Sequence, residues 1–350
     1  MSQRTRAGLT ALCLSAVLWA AAGFLPLPYV TYYPGPTVDI LAKQAGTENV
    51  QVTGHKAYYD DGELRLTTVY VSQPEDDVTL PELLRAYFDP DAAVWPRSSV
   101  YAPDETDESN DRDSSVAMVS SQDTAVAAAL TELDIDFAAI VDVQDVVPDL
   151  PADGKLKVRD VLLKIGDTDI TDAQDVVDAV GQASVSEPLP FVVRRAGKQL
   201  TVDVTPREID GEKRVGITSG VGYDFPFDVT VNIGEGIGGP SAGLLMSLAI
   251  FDTLTPGSLT GSKDIAGTGT ITADGLVGPI GGIQQKIAAS RDAGADLCLV
   301  PADNCDGIGG VDPEGMRLAR VATLHEARGI VEDWAADPET TLPTCEDTTS

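Results

Sequence analysis

The chain has 350 residues and carries 55 acidic against 24 basic side chains, a formal net charge of -31. A surface this acidic repels phosphate backbones and anionic headgroups, which excludes a nucleic-acid partner. With 43% hydrophobic and 23% charged residues the chain is not wholly disordered, and its length allows two or three folded units. Two histidines, His55 and His325, are too few for a His-rich metal site, and GxxxxGK followed by Ser or Thr does not occur. No metal, cofactor or P-loop ATPase is expected.

Arg4 and Arg6 precede a run over 7–25 without a charge. At ~1.5 Å per residue it reaches about 28 Å as a helix, the thickness of a bilayer's hydrocarbon core. Trp19 and Tyr29 suit an interface, and Pro26 and Pro28 stop the helix. Basic residues before the run and acids after it favour an inside amino terminus, with the rest of the chain outside the cytoplasm. A cleaved signal peptide ending near Ala20-Ala21-Ala22 is the competing reading, and it gives the same address. In that compartment Cys305 and Cys345, both in polar loop sequence, can pair, whereas Cys13 and Cys298 sit in apolar runs.

Residues 28–120 read as a β-rich region. The segment 63–71, ELRLTTVYV, alternates apolar with polar and is rich in β-branched residues. The run 103–115, PDETDESNDRDSS, has no apolar anchor and reads as a mobile acidic loop. Over 121–206 a helix at 124–133 leads to a strand from Phe137, the segment DGKLKVRDVLLKIGDTDI, a helix over 173–182 and a hairpin turning at Arg195-Ala196-Gly197-Lys198. That order resembles a PDZ domain of the bacterial protease-associated type. The resemblance implies a peptide-binding strand at Ala138, Ala139 and Ile140, walled by the 173–182 helix.

Residues 207–337 carry the chemistry. A strand over 228–233 runs into the glycine-rich loop GEGIGGP, and Ser241 follows at the mouth of an apolar helix over 242–251. Unpaired backbone N–H groups there can stabilise an oxyanion, with Gly239, Pro240 and Ala242 as the flanking candidates. A serine nucleophile needs a base. His325 is one candidate, without a supporting motif. Lys286 is the other: it lies between Ile283 and Ile287 on a helix and leans toward its apolar side. An ordinary lysine, pKa about 10.4, is neutral in about one molecule in 2,500 at pH 7, and a ~3-unit depression costs about 4 kcal/mol, within the reach of desolvation.

GPSAG at 239–243, GTGTITADGLVGPIGGIQQK at 267–286 and LCLVPADN at 297–304 together resemble the proteolytic domain of the Lon family. The resemblance implies that Ser241 is the nucleophile, Lys286 its partner and Thr268 a supporting hydroxyl. Gly238 departs from the family, whose ATP-dependent members usually carry an acid three residues before the serine. The layout of amino-terminal transmembrane helix, β-rich region, PDZ-like domain and carboxy-terminal Lon-type α/β domain, with a loose tail over 338–350, resembles the membrane-anchored PDZ–Lon proteases of Gram-positive bacteria (YlbL-like). That multidomain α+β layout implies an ATP-independent, extracytoplasmic serine endopeptidase acting on proteins or peptides, selected or regulated by its PDZ module, and open to assembly as a homo-oligomer.

Overall fold

The computed structural model describes residues 3–348 apart from 24, 45, 210, 235 and 236, and the side chains of 18–22, 347 and 348 lie outside that description. After helix α1 (Gln3–Gly23) come β1 (Tyr29–Asp39), β2 (Val50–Thr53), β3 (Glu63–Val71), α2 (Leu80–Phe88), β4 (Ala93–Pro96) and α3 (Asp107–Glu132). Next are β5 (Ala138–Val146), β6 (Val161–Ile165), α4 (Ala173–Gln182), β7 (Leu189–Arg195), β8 (Lys198–Val204) and β9 (Ile217–Asp224). The last third holds β10 (Asp228–Val231), α5 (Gly243–Leu254), β11 (Asp264–Gly267), α6 (Ile283–Asp292), β12 (Leu297–Pro301), β13 (Arg317–Val321) and α7 (Leu324–Ala336).

The β-rich region is not a unit of its own. Its strands complete a six-stranded sheet ordered β13-β12-β11-β3-β1-β4. β13, β12, β11 and β3 run parallel, and β1 and β4 add antiparallel. The join is the parallel ladder from Glu63↔Asp264 to Leu66↔Gly267, about 200 residues apart in sequence. Successive residues of a strand face opposite ways. Leu297 and Leu299 of β12 therefore enter a large core with α3, α5 and α7, while Cys298 and Val300 pack with Ile283 and Ile287 of α6 on the other face. α5 is buried along its whole length. Each of its leucines contributes about 1.5–3 kcal/mol by leaving water.

One expectation is corrected here. The acidic run over 103–115 is not a loop, because most of it forms the first turns of α3. Thr106 caps that helix by accepting the Ser109 N–H at 3.2 Å, and Asp107 and Glu108 complement the positive end of its dipole. Downstream, Ala125 to Leu130 are buried in the main core, so α3 belongs to the same unit as Ser241. The expected membrane span over 7–25 is described only in part. α1 exposes residues 3–17, which include Arg4, Arg6, Thr10 and Ser15, and among the described residues no helix is long and apolar enough to cross a membrane. Trp19 and parts of that run lie outside the described side chains.

Between α3 and β10 the chain makes a second sheet, ordered β8-β7-β6-β5-β9, with its own core of Val143, Leu162, Ile165, Val180, Phe191 and Val193. This smaller unit is inserted between two halves of the larger one. Its seam with α3 carries an ion pair between Asp123 and Arg159 at 2.9 Å, with Arg112 3.9 Å from Asp145 beside it. The chain's carboxy-terminal segment is fastened by a Cys305–Cys345 disulfide, so the tail expected to be loose is tied to the larger unit.

Candidate active site

The site forms at the carboxyl end of β11, where α5 and α6 converge from opposite faces of the main sheet. Ser241 lies in a single 3-10 turn, Pro240–Ala242, that enters α5 at Gly243, one residue later than the expected helix start. Gly239 takes φ +83° with ψ 160°, a conformation side chains strongly disfavour, and this swings the chain into the turn. Gly238 has a different reason. A Cβ built there would lie 2.8 Å from the Cβ of Ser114 on α3, so the helix occupies the space that a side chain, acidic or otherwise, would need.

Lys286 projects from the first turns of α6, flanked by buried Ile283 and Ile287, and is itself 2% exposed. Its Nζ lies 2.7 Å from Ser241 Oγ and 3.0 Å from Thr268 Oγ1. Thr268, directly after β11 and buried, donates its hydroxyl to the Ser241 carbonyl at 3.1 Å, and the Gly269 N–H donates to the same carbonyl at 2.9 Å. The threonine thus fixes the serine backbone and accepts from the amine at once. Burial pushes the Lys286 ammonium down to about 7, with the Cys298 thiol acting in the opposite direction. About half of the amine is then neutral at pH 7. Burial raises Cys298 to about 11, so the thiol stays protonated.

The expected trio of Ser241, Lys286 and Thr268 is brought together; the flanking candidates are sorted. Pro240 has no N–H to give, and the Gly239 N–H already donates to the Ser114 carbonyl at 3.0 Å. The Ser241 N–H opens the turn, where no earlier carbonyl of the same helix can reach it, whereas the Ala242 N–H closes the 3-10 turn on the Gly239 carbonyl. His325 is exposed, with Nδ1 2.9 Å from Glu132 Oε1, and His55 stacks on Phe227. Neither is the partner of Ser241. In the smaller unit, Ala138, Ala139 and Ile140 lie in β5, where one edge is paired with β9 through Asp224, Tyr223 and Gly222. α4 instead faces the β9 side, and the cleft beside it is lined by Val176, Val180 and the segment from Val215 to Ser219. β9 covers the edge of β5 at Ala138, Ala139 and Ile140, so the cleft beside α4 runs along β9 and not along the expected strand.

Sequence reading found α3 only over 124–133 and missed the part that reaches the site. Ser114 accepts from Gly239, Ser121 Oγ donates to the Pro240 carbonyl at 3.2 Å, and Met118 between them lines the cleft at Ser241. Their spacing of four and three residues puts all three on one helical face. The signal was present in Thr106 followed by acids, the mark of a helix start.

Comparison with known proteins matches two segments of the chain. The Lon protease (S16) C-terminal proteolytic domain matches residues 225–328, and a PDZ domain matches residues 109–205. A Lon protease of Campylobacter concisus is 41% identical over 83 residues, 23% of this chain and 10% of that protein. Lon protease 2 of Bacillus subtilis is 32% identical over 116 residues, 33% of this chain and 20% of that protein. The chain thus spans a fifth or less of these two curated relatives' length. The PDZ domain of an SdrC-like protein from Listeria innocua, 23% identical, aligns over 23% of this chain and 92% of its own, with a TM-score of 0.22. The larger unit is thus similar to part of known serine peptidases. More particularly, residues 225–328 resemble a Lon-type (S16) proteolytic domain and residues 109–205 a PDZ domain.

Proposed function

We propose that the chain is an ATP-independent serine endopeptidase acting outside the cytoplasm, with Ser241 as nucleophile and Lys286 as general base and then acid. The observation that carries this reading is the 2.7 Å approach of Ser241 Oγ to a buried amine whose pKa is depressed to about 7. The neutral Nζ takes the hydroxyl proton as Oγ bonds to the substrate carbonyl carbon, and the carbonyl oxygen becomes an oxyanion at the Ser241 N–H. Collapse of that intermediate breaks the C–N bond while the Lys286 ammonium returns its proton to the leaving amine. Water, deprotonated by the same amine, then bonds to the acyl carbon, and the C–Oγ bond breaks as the Lys286 ammonium returns that proton to Oγ.

Thr268 accepts one N–H of the amine, which leaves the lone pair free to face Ser241. An extended substrate fits the edge of β3. Its ladder to β11 ends at Leu66, while the cleft at Ser241 is lined by Thr67 to Tyr70 beyond that point. The PDZ domain selects or regulates substrate through the cleft between α4 and β9. The extracytoplasmic address is supported by the Cys305–Cys345 disulfide, a bond that persists in oxidising compartments. A retained anchor and a removed export signal both deliver the chain there and differ in the first residue of the mature protein.

The test is cleavage of casein by the full chain and by Ser241→Ala. Loss of cleavage in the variant is expected. Equal cleavage by both, or none by either, leaves a non-catalytic PDZ scaffold as the better reading.

A further inference from the structure

Lys286 serves Ser241 only while α6 holds it in place, and α6 has 10 residues, Ile283–Asp292. A helix that short is marginal by itself, so its position is set by what it packs against. Within the segment matched to the proteolytic domain, Asn304 holds the turn before α6. Its Oδ1 accepts the Ile280 N–H and its Nδ2 donates to the Ile280 carbonyl, both at 2.9 Å. The helix itself takes a further polar grip from Asp91, outside that segment. Gln285, next to the lysine and 3% exposed, donates from Nε2 to the Asp91 carbonyl at 3.1 Å. Arg291, in the last turn, donates from Nη2 to Asp91 Oδ2 at 2.8 Å. Arg291 also meets the neighbouring Asp292 carboxylate and the Asp312 carbonyl.

Gln285 and Arg291 stand about 9 Å apart along the helix axis, so Asp91 binds α6 near both ends. Asp91 is itself anchored. Its N–H donates to Asp89 Oδ1 at 3.1 Å, and the Ala92 N–H donates to the Asp89 carbonyl. Immediately afterwards β4 begins its pairing with β1 at Ala93↔Tyr32, so the grip refers the lysine to the edge of the main sheet. A displacement of about 1 Å near reacting groups can cost about 10²-fold in rate. An opening beside Gln285 would also let water reach the amine, and water favours its charged form.

We propose that Asp91 is a positioning residue for the general base: through Gln285 and Arg291 it holds α6 so that Lys286 stays within reach of Ser241 and out of water. This rests on the reading of Ser241 and Lys286 as the catalytic pair. The corner over 89–92 is thereby a working part of the peptidase, although it precedes both matched segments.

The experiment follows cleavage of fluorescein-labelled casein against pH by the full chain and by Asp91→Ala, Asp91→Asn and Gln285→Met. Asp91→Ala is expected to lower kcat about tenfold with KM changed by less than about twofold. It is also expected to move the midpoint of kcat/KM upward from about 7, by roughly half a pH unit or more, as water reaches the amine. Asp91→Asn keeps an acceptor for Arg291 and should retain roughly half of kcat or more. Gln285→Met leaves the ion pair and severs the other bond. It should lower kcat about threefold in the same pattern, and it decides the question alone if Asp91→Ala does not fold. Variants that melt at lower temperature yet keep the wild-type kcat and midpoint overturn the positioning role and leave the catalytic pair standing. Absence of Ser241-dependent cleavage in wild type overturns the catalytic pair and this role with it.

Discussion

Replacing Lys286 by Met separates the requirements of catalysis from those of folding. The lysine is 2% exposed and its pKa falls from 10.5 to about 7, with burial as the first cause. At 1.36 kcal/mol per unit, the fold disfavours the charged amine by about 5 kcal/mol. Methionine of similar length carries no such penalty but forfeits the hydrogen bonds to Ser241 and Thr268, each worth about 1 kcal/mol. Lys286→Met is therefore expected to abolish cleavage while raising stability at pH 7 by about 2–3 kcal/mol. The sign against pH is fixed by the direction of the shift. Between pH 7 and 10.5 the unfolded lysine binds more proton than the folded one, so wild-type stability from this group rises with pH and the variant's advantage shrinks. Urea denaturation of both proteins at pH 7 and pH 9.5, followed by tryptophan fluorescence, measures it. A variant less stable than wild type at pH 7, or an advantage unchanged at pH 9.5, would refute the claim of a desolvated amine.

Thr268→Val removes both the acceptor for the Lys286 amine and the donor to the Ser241 carbonyl, so kcat should fall about 10²-fold with KM little changed. Thr268→Ser should keep most of the activity, and steady-state kinetics on one peptide distinguishes the two. At the domain seam, burial pushes the Asp142 carboxyl up to about 6, Asp123 adding to the rise and Arg159 opposing it. Its folded form holds the proton more tightly than the unfolded form, so stability from this group declines as pH rises from about 4 through 6. Asp142→Asn should flatten that dependence and add up to about 3 kcal/mol at pH 7, read from thermal melts at pH 5 and pH 7.5.

The chemistry was more legible than the architecture. Ser241, Thr268 and Lys286 sit in three short ordered blocks, and local glycine turns place each at the end of a regular element, so a linear reading reaches them. The sheet that carries them was hidden, since β3 and β11 meet across about 200 residues with a whole PDZ domain between, and no local pattern encodes such a pairing. α3 was obscured differently. Its first turns face solvent and look like a charged loop, and only the cap at Thr106 and the buried alanines further on reveal one continuous helix. The proline at 240 could have been struck from the oxyanion candidates by covalent chemistry alone. The position of the cleft beside α4 could not, since it depends on which strand covers the edge of β5.

The central claim is that one amine in this chain is neutral enough at physiological pH to take a proton from a serine. It is tested most directly by NMR titration of lysine side chains in the full protein labelled with 13C at Cε, the resonance of Lys286 being the one missing from Lys286→Met. A midpoint near 7 for that resonance, matched by a rise of kcat/KM with pH through the same midpoint, is the expected result. A midpoint near 10.5, where ordinary lysines titrate, would contradict the account.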